Sequence, residues 1–205
     1  MDFLFDGPAD ADQSFVFAHG AGGPMDGAFM NSVARGVGER GIRVLRFEFP
    51  YMAARRGSGK RGAPDREPVL TASWRRVIDE LGGGPRLFIG GKSMGGRIAS
   101  LVADECSVRG LICLGYPFHP PGNPAKLRTK HLEDLRTPTL ILQGTRDAFG
   151  SAADVEGYQL SGSIRIEWLP DGDHSFKPRA SSGATEEANR KRAIESVTSF
   201  ILSMG

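Results

Sequence analysis

The chain has 205 residues, of which 40% are hydrophobic, a size and composition that suit one folded domain over residues 1–205. Its formal net charge of +2 gives no general argument for nucleic-acid binding, and no stretch approaches the ~18 uninterrupted apolar residues of a membrane span. The N-terminus lacks a basic segment leading into a long apolar run, so no signal peptide is expected. We therefore expect a cytoplasmic monomer or small homo-oligomer without nucleic-acid or membrane partners.

The first half of the chain alternates short apolar runs with helical patterns. The runs predict strands at 14–18, 42–47 and 86–90, and the apolar spacing predicts helices at about 27–40, 71–81 and 94–106. Gly41 is expected to end the first helix, because glycine readily takes the left-handed conformation found there.

Segment 51–69 interrupts this alternation. It contains five basic side chains among glycines and prolines: Arg55, Arg56, Lys60, Arg61 and Arg66. Its composition favours a solvated loop. Its place after a predicted strand leaves a second interpretation open, a basic flap that attracts an anionic substrate or partner.

The second half continues the alternation. Strands are predicted at 111–115, 139–143 and 164–169, and helices at 151–160 and about 185–203, the first of them capped by Ser151. Cys106 and Cys113 fall within predicted elements, where a free cysteine behaves as a small apolar residue. The whole pattern predicts an α/β fold, doubly wound, with a mostly parallel sheet of about six or seven strands and helices on both faces.

A glycine-rich turn follows the strand predicted at 86–90. It contains the pattern G-x-S-x-G as Gly91-Lys92-Ser93-Met94-Gly95, directly before the helix predicted from residue 94. A serine on such a sharp turn has a strained backbone, so neighbouring positions must lack bulky side chains. The pattern in this context predicts a nucleophile elbow that exposes Ser93 Oγ.

Two later turns carry the partners that such a serine needs. Asp147 lies just past the strand 139–143, and His174 lies just past the strand 164–169. A serine hydroxyl requires a base to remove its proton and an anion to orient that base. The carboxyl ends of parallel strands share one edge of the sheet, so Ser93, Asp147 and His174 are predicted to meet there as nucleophile, acid and base.

An oxyanion on the attacked carbonyl would need two backbone N–H donors. Met94 at the start of the helix supplies one, and Ala21, in the turn after the strand 14–18, is the first choice for the other. Gly20 and Gly22 are expected to permit the close approach of this turn. His19 is expected to brace the turn by hydrogen bonds rather than to catalyse.

The ordered motifs resemble those of the α/β-hydrolase superfamily, closest to small, cap-less hydrolases related to dienelactone hydrolases. The resemblance runs from about residue 14 to 203 and is carried by 19–22, 91–95, 144–147 and 172–174. It implies an α/β-hydrolase fold, a Ser93–His174–Asp147 triad, and an oxyanion hole made by the amides of Ala21 and Met94. The motif glycines Gly91 and Gly95 would support the elbow.

Two departures from the family pattern affect the expected site. Only Asp2–Phe5 precedes the first core strand, so the usual initial antiparallel hairpin is truncated or absent. The segment 116–138, where larger members insert a lid, is short, which suggests an open cleft for small soluble esters or acyl thioesters. Tyr116 and Phe118, with His119 beside them, are candidates to line the cleft or, equally, to pack the loop onto the sheet.

The sequence therefore favours a serine hydrolase that cleaves a small carboxylic ester or thioester through an acyl-enzyme. The alternative is a non-catalytic binding or scaffold module on the same fold, which would leave the serine, aspartate and histidine without a role. A phosphate-binding loop is disfavoured because Arg86 stands where its first glycine would be. Neither a metal nor another cofactor is expected, since the four histidines have no ligand spacing.

Overall fold

The computed structural model describes residues 2–59 and 62–204. Seven strands are found in this part of the chain: β1 (Leu4–Asp6), β2 (Ser14–Ala18), β3 (Arg43–Arg46), β4 (Leu87–Lys92), β5 (Gly110–Leu114), β6 (Thr139–Gly144) and β7 (Ile164–Leu169). They form one sheet in the order β1-β3-β2-β4-β5-β6-β7, in which β1 is antiparallel to its neighbour and every other pairing is parallel.

Helices cover both faces of this sheet. Their bounds are α1 (Ala28–Gly38), α2 (Pro50–Ser58), α3 (Glu67–Glu80), α4 (Met94–Val102), α5 (Ala152–Val155) and α6 (Glu186–Leu202). Apolar side chains of α1 and α6 form one core with one face of the sheet, and those of α3 and α4 form a second core with the other face. The predicted doubly wound α/β fold is therefore confirmed.

The central strands β4, β5 and β6 are buried along their whole length. Continuous burial is typical of parallel strands with helices on both faces, and explains why their sequences are apolar runs rather than alternating patterns. The turns after β4, β6 and β7 all leave the sheet at its carboxyl edge, and these are the turns that carry Ser93, Asp147 and His174.

At the N-terminus a single antiparallel strand takes the place of a hairpin. Strand β1 pairs with β3, and an ion pair of 2.7 Å between Asp6 and Arg46 reinforces this edge of the sheet. An antiparallel strand is therefore present at this edge of the sheet.

Most of segment 51–69 is helical, so the loop interpretation is wrong for most of it. Pro50 begins α2, Met52 on this helix is buried, and Gly59 in the left-handed conformation follows its end. The next helix, α3, begins at Glu67, four residues earlier than predicted. Lys60 and Arg61 lie outside the described residues.

Helix α5 is a single turn, much shorter than the predicted 151–160. The expected Ser151 cap is present and is part of a capping box, with Ser151 accepting from the Asp154 amide and the Asp154 carboxylate accepting from Ser151. The chain leaves the helix after Val155 because Tyr158 and Leu160 pack against the core instead.

No cap domain is inserted between β5 and β6, where residues 116–138 contain only the short 3₁₀ turn Lys130–Leu132. None of the helices within residues 2–59 and 62–204 is long and apolar enough to cross a membrane.

Candidate active site

Ser93 occupies a strained turn between β4 and α4. Its backbone has φ 51° and ψ −116°, a conformation rare for a residue with a side chain. A Cβ at Gly91 would lie 2.5 Å from the Ala18 carbonyl oxygen, and one at Gly95 would lie 2.6 Å from the same oxygen. The tight packing of β2 against the elbow thus requires glycine on both sides of Ser93.

The structure brings Ser93, His174 and Asp147 into one chain of hydrogen bonds. His174 Nε2 lies 2.8 Å from Ser93 Oγ, and His174 Nδ1 lies 2.8 Å from Asp147 Oδ2. Because a carboxylate only accepts, Nδ1 carries the proton toward Asp147, and Nε2 of the neutral ring accepts from the Ser93 hydroxyl. This geometry allows His174 to receive the serine proton.

The Asp147 carboxylate is fully buried and held by several donors. Phe149 N donates to Oδ1 over 2.9 Å, and Gln143 Nε2 donates to Oδ2 over 2.9 Å. Gln143 Oε1 also accepts from Tyr116 N over 2.7 Å, which connects the turn after β5 to the turn after β6. Sequence reasoning missed Gln143, although a polar residue at the end of an apolar strand, four residues before the aspartate, is a readable signal.

The surroundings of His174 favour its neutral form. Burial lowers the pKa of His174 from its usual value, the positive charge of Lys92 acts in the same direction, and the hydrogen bond to Asp147 opposes both. The Phe149 ring lies against the imidazole, with ring centroids 4.1 Å apart. No sequence signal pointed to Phe149.

The turn after β2 is braced by its own His19 and by the start of α2. His19 is buried, its Nδ1 donates to the Gly20 carbonyl over 2.7 Å, and its Nε2 accepts from Phe49 N over 3.1 Å. The Tyr51 hydroxyl donates to the Ala21 carbonyl over 3.1 Å. Tyr51, at the start of α2, is a further contact that the sequence did not reveal.

This turn passes close to Ser93. A Cβ at Gly20 would lie 3.6 Å from Ser93 Cβ, an ordinary van der Waals contact, and one at Gly22 would meet nothing within 4 Å. Contrary to expectation, close packing requires glycine at neither position. Within residues 2–59 and 62–204, neither the Ala21 amide nor the Met94 amide donates to an acceptor. Both amides therefore remain free for a ligand.

Two cavities open on either side of Ser93, and Ala21, Ser93 and Phe149 line both. The first, here called the His174 cavity, measures about 410 Å³, and its remaining wall includes Phe29, Met30, Lys92 and His174. The second, the Arg128 cavity, measures about 380 Å³, and its wall includes Asp65, Glu67, Met94, Arg97 and Arg128.

The basic side chains of segment 51–69 that the structure describes do not line these cavities. Arg56 makes ion pairs of 2.7 Å with Asp26 and with Glu48, and these bonds raise the pKa of its guanidinium. The same segment contributes the acidic Asp65 and Glu67 to the Arg128 cavity. The described residues thus lend no support to a basic flap.

Tyr116 and Phe118 are not part of the cleft. Both are fully buried in the core beside α3 and α4, and the Tyr116 hydroxyl donates to the Arg128 carbonyl over 3.0 Å. Their loop turns back onto the sheet because these large rings gain more from burial than from exposure. Pro117, between them, and Arg128 are the residues of this loop that line the Arg128 cavity.

A further groove lies apart from Ser93, and the described residues contain no candidate metal-binding cluster. A groove of about 800 Å³ runs between α1 and α6 and is lined by charges of both signs, among them Arg35, Glu39 and Glu187. Among residues 2–59 and 62–204, no group of three His, Cys, Asp or Glu side chains is arranged to hold a metal ion.

The family model of the alpha/beta hydrolase domain matches residues 11–202 of the chain. Among solved structures, the lid-less α/β serine hydrolase from Xanthomonas campestris is similar with a TM-score of 0.71 and 20% identity, covering 98% of this chain and 89% of that one. A dienelactone hydrolase from Anabaena variabilis gives a TM-score of 0.70 and 21% identity, covering 97% of this chain and 91% of that one. At these identities the structural likeness establishes the fold.

Proposed function

The chain belongs to the α/β-hydrolase family, and on that premise we propose that it is a serine hydrolase acting on small carboxylic esters or thioesters. The observation that carries the proposal is the unbroken chain of two 2.8 Å contacts from Ser93 Oγ through His174 to a buried Asp147. Such a chain activates a serine hydroxyl as a nucleophile. A purely binding module has no need of it.

In the proposed reaction, Ser93 Oγ attacks the carbonyl carbon of the substrate while His174 Nε2 takes the hydroxyl proton. The bond to the leaving oxygen or sulfur then breaks, and the leaving group receives that proton from His174. The acyl group stays on Ser93 until water attacks it and gives a proton to His174. The bond from the acyl carbon to Ser93 Oγ then breaks, the carboxylic acid leaves, and His174 returns the proton to Ser93 Oγ. The free amides of Ala21 and Met94 would stabilise the negative oxygen of both tetrahedral intermediates.

The two cavities suggest how the halves of the substrate are accommodated. Because the leaving group takes its proton from His174, it should occupy the His174 cavity, and the acyl group should occupy the Arg128 cavity. Cavities of about 410 and 380 Å³ suit small substrates. The phenylalanine and methionine of the His174 cavity favour an apolar leaving group.

The decisive test is covalent labelling by a fluorophosphonate probe, which reacts with an activated serine. We expect stoichiometric labelling at Ser93, none in Ser93→Ala, and a loss of about 10,000-fold or more in kcat for Ser93→Ala on p-nitrophenyl acetate. If folded wild-type protein stays unlabelled across a range of pH, the proposal is wrong and a binding module on the same fold is favoured.

Substrate preference needs a second experiment. A panel of esters that varies the alcohol and the acyl group independently, with a matched thioester for each acyl group, would compare kcat/KM across both. We expect an apolar alcohol to raise kcat/KM, and Phe29→Ala to remove that gain while leaving the acyl preference unchanged. Equal loss for all alcohols would contradict the assignment of the His174 cavity.

A further inference from the structure

Lys92 is a charged residue in an unusual place. It ends the central strand β4, directly before Ser93, and its side chain is only 9% exposed. Burial lowers its pKa to about 8. Burying an ammonium costs free energy, and an apolar side chain of the same length would avoid that cost.

The contacts of Lys92 point at one neighbour. Its Nζ donates to the backbone carbonyl of His174 over 2.5 Å and lies 5.5 and 5.9 Å from the ring centroids of Phe29 and Phe176. No ion pair joins it to a carboxylate within residues 2–59 and 62–204. The hydrogen bond therefore links the strand that carries Ser93 directly to the main chain of His174.

Space for this contact is provided by Gly115, whose φ is +70°. A Cβ at Gly115 would lie 2.8 Å from Lys92 Nζ and 3.3 Å from His174 Nδ1, so the ammonium and the imidazole approach the same point. The charged groups that act on His174 are Asp147, Asp173 and Lys92. Lys92 is the cation among them.

We propose that Lys92 is a positioning residue for His174: its ammonium fixes the main chain of the histidine against β4 and keeps a positive charge beside the imidazole. The hydrogen bond sets the distance between Nε2 and Ser93 Oγ, because His174 has little freedom once its carbonyl is held. The charge opposes protonation of the ring, so the ring stays neutral and able to accept the serine proton. This inference rests on the proposed function of Ser93 and His174.

The test compares Lys92→Met with Lys177→Met. Methionine fills the space of lysine without its charge or donor, and Lys177 is an exposed lysine in the same turn as His174. For Lys92→Met we expect kcat/KM on the pH plateau to fall about tenfold or more, and the acid limb to move upward by about 0.5 to 1 pH unit. Lys177→Met should stay within about twofold of wild type with an unmoved limb.

Stability separates this role from a structural one. Because a buried charge is removed, the Tm of Lys92→Met should equal or exceed that of wild type, whereas a lysine kept for the fold would leave a variant with a lower Tm. Lys92→Gln keeps a donor without the charge, so its acid limb should also move while its plateau loss is smaller. If Lys92→Met does not fold, Lys92→Gln takes its place as the test variant.

An NMR titration of the His174 imidazole measures the same shift without turnover. A folded Lys92 variant with an unmoved His174 titration and a plateau within twofold of wild type would overturn the proposal. Unlabelled wild-type protein would instead overturn the proposed function, and the two failures are thus distinguishable.

Discussion

The elbow at Ser93 and the turn after β7 that carries His174, here called the His174 turn, bring their side chains into contact but are held in place by different interactions. The elbow is fixed by backbone packing, because Gly91 and Gly95 let β2 come so close that no Cβ fits. The His174 turn is fixed by side chains from several elements: Lys92 donates to its carbonyl, Phe149 lies against its ring, and Asp147 accepts from its Nδ1. A local steric requirement therefore fixes the elbow, and contacts from several elements fix the position of His174.

The largest effect should come from filling the space at the elbow. In Gly95→Ala, the new Cβ would lie 2.6 Å from the carbonyl oxygens of Ala18 and His19, and backbone atoms have little freedom to move away. We expect a loss of about 1–3 kcal/mol in the free energy of unfolding and at least about 100-fold in kcat, measured by denaturant titration and p-nitrophenyl acetate hydrolysis.

The matched control is Gly57→Ala in α2, where the new Cβ would meet nothing within 4 Å. There alanine should stabilise the helix by up to about 1 kcal/mol and leave kcat unchanged. Equal effects at both positions would mean that close packing does not govern the elbow.

A smaller effect is expected from removing Gln143, a side chain that holds Asp147 and, through Asp147, His174. Gln143→Leu keeps the size of the side chain but removes the donor to Asp147 and both bonds to the backbone of Tyr116. We expect unfolding free energy to fall by about 1–3 kcal/mol and kcat to fall about 10- to 100-fold. The same change at the exposed Gln159 should alter neither, and an unaffected kcat in Gln143→Leu would exclude Gln143 as an orienting group.

The pH profile of the wild-type protein tests the environment of His174 without a mutation. Burial and the Lys92 charge lower the pKa of His174 below its usual 6.5, and only the neutral ring accepts the serine proton. The acid limb of kcat/KM should therefore have its midpoint below pH 6.5, with activity retained above it. A midpoint at or above pH 7 would show that Asp147 dominates the environment of His174.

The smallest effect is expected at the rim of the His174 turn. Asp171 forms ion pairs with Arg179 and Arg146, which hold its pKa down to about 2, but both guanidinium groups face solvent. Arg179→Gln should change Tm little and kcat less than about twofold, because exposed ion pairs contribute little and Arg146 remains. Arg192→Gln on α6 is the control, and a large loss in Arg179→Gln alone would place the turn's main support at its rim.

Features that depend on neighbouring residues in the chain were predictable. Apolar runs gave the strands at 14–18, 139–143 and 164–169 within a residue of their observed bounds, and Ser151 was correctly predicted to cap α5. The glycines around Ser93 predicted the elbow, because a positive φ and a missing Cβ are properties of single positions that can be read from the sequence.

Predictions failed where distant contacts outweigh the local pattern. The glycines, prolines and charges of 51–69 suggested a loop, yet buried Met52 packs α2 against the core. Tyr116 and Phe118 follow β5 at the carboxyl edge of the sheet, yet they are buried in the core because of their large apolar area. Helix α5 ends earlier than predicted, and Tyr158 and Leu160, which follow it, pack against the same core.

The sequence by itself determined the α/β fold, the elbow, and the order in which Ser93, Asp147 and His174 follow their strands. Tertiary structure alone decided that Gln143 contacts Asp147 and Phe149 contacts His174, that Tyr51 braces the turn of Ala21, and that the Lys92 ammonium reaches the His174 carbonyl. The reason is physical. Strand and turn preferences arise from the chain's own covalent neighbours, whereas these contacts depend on which side chains the packed sheet brings together.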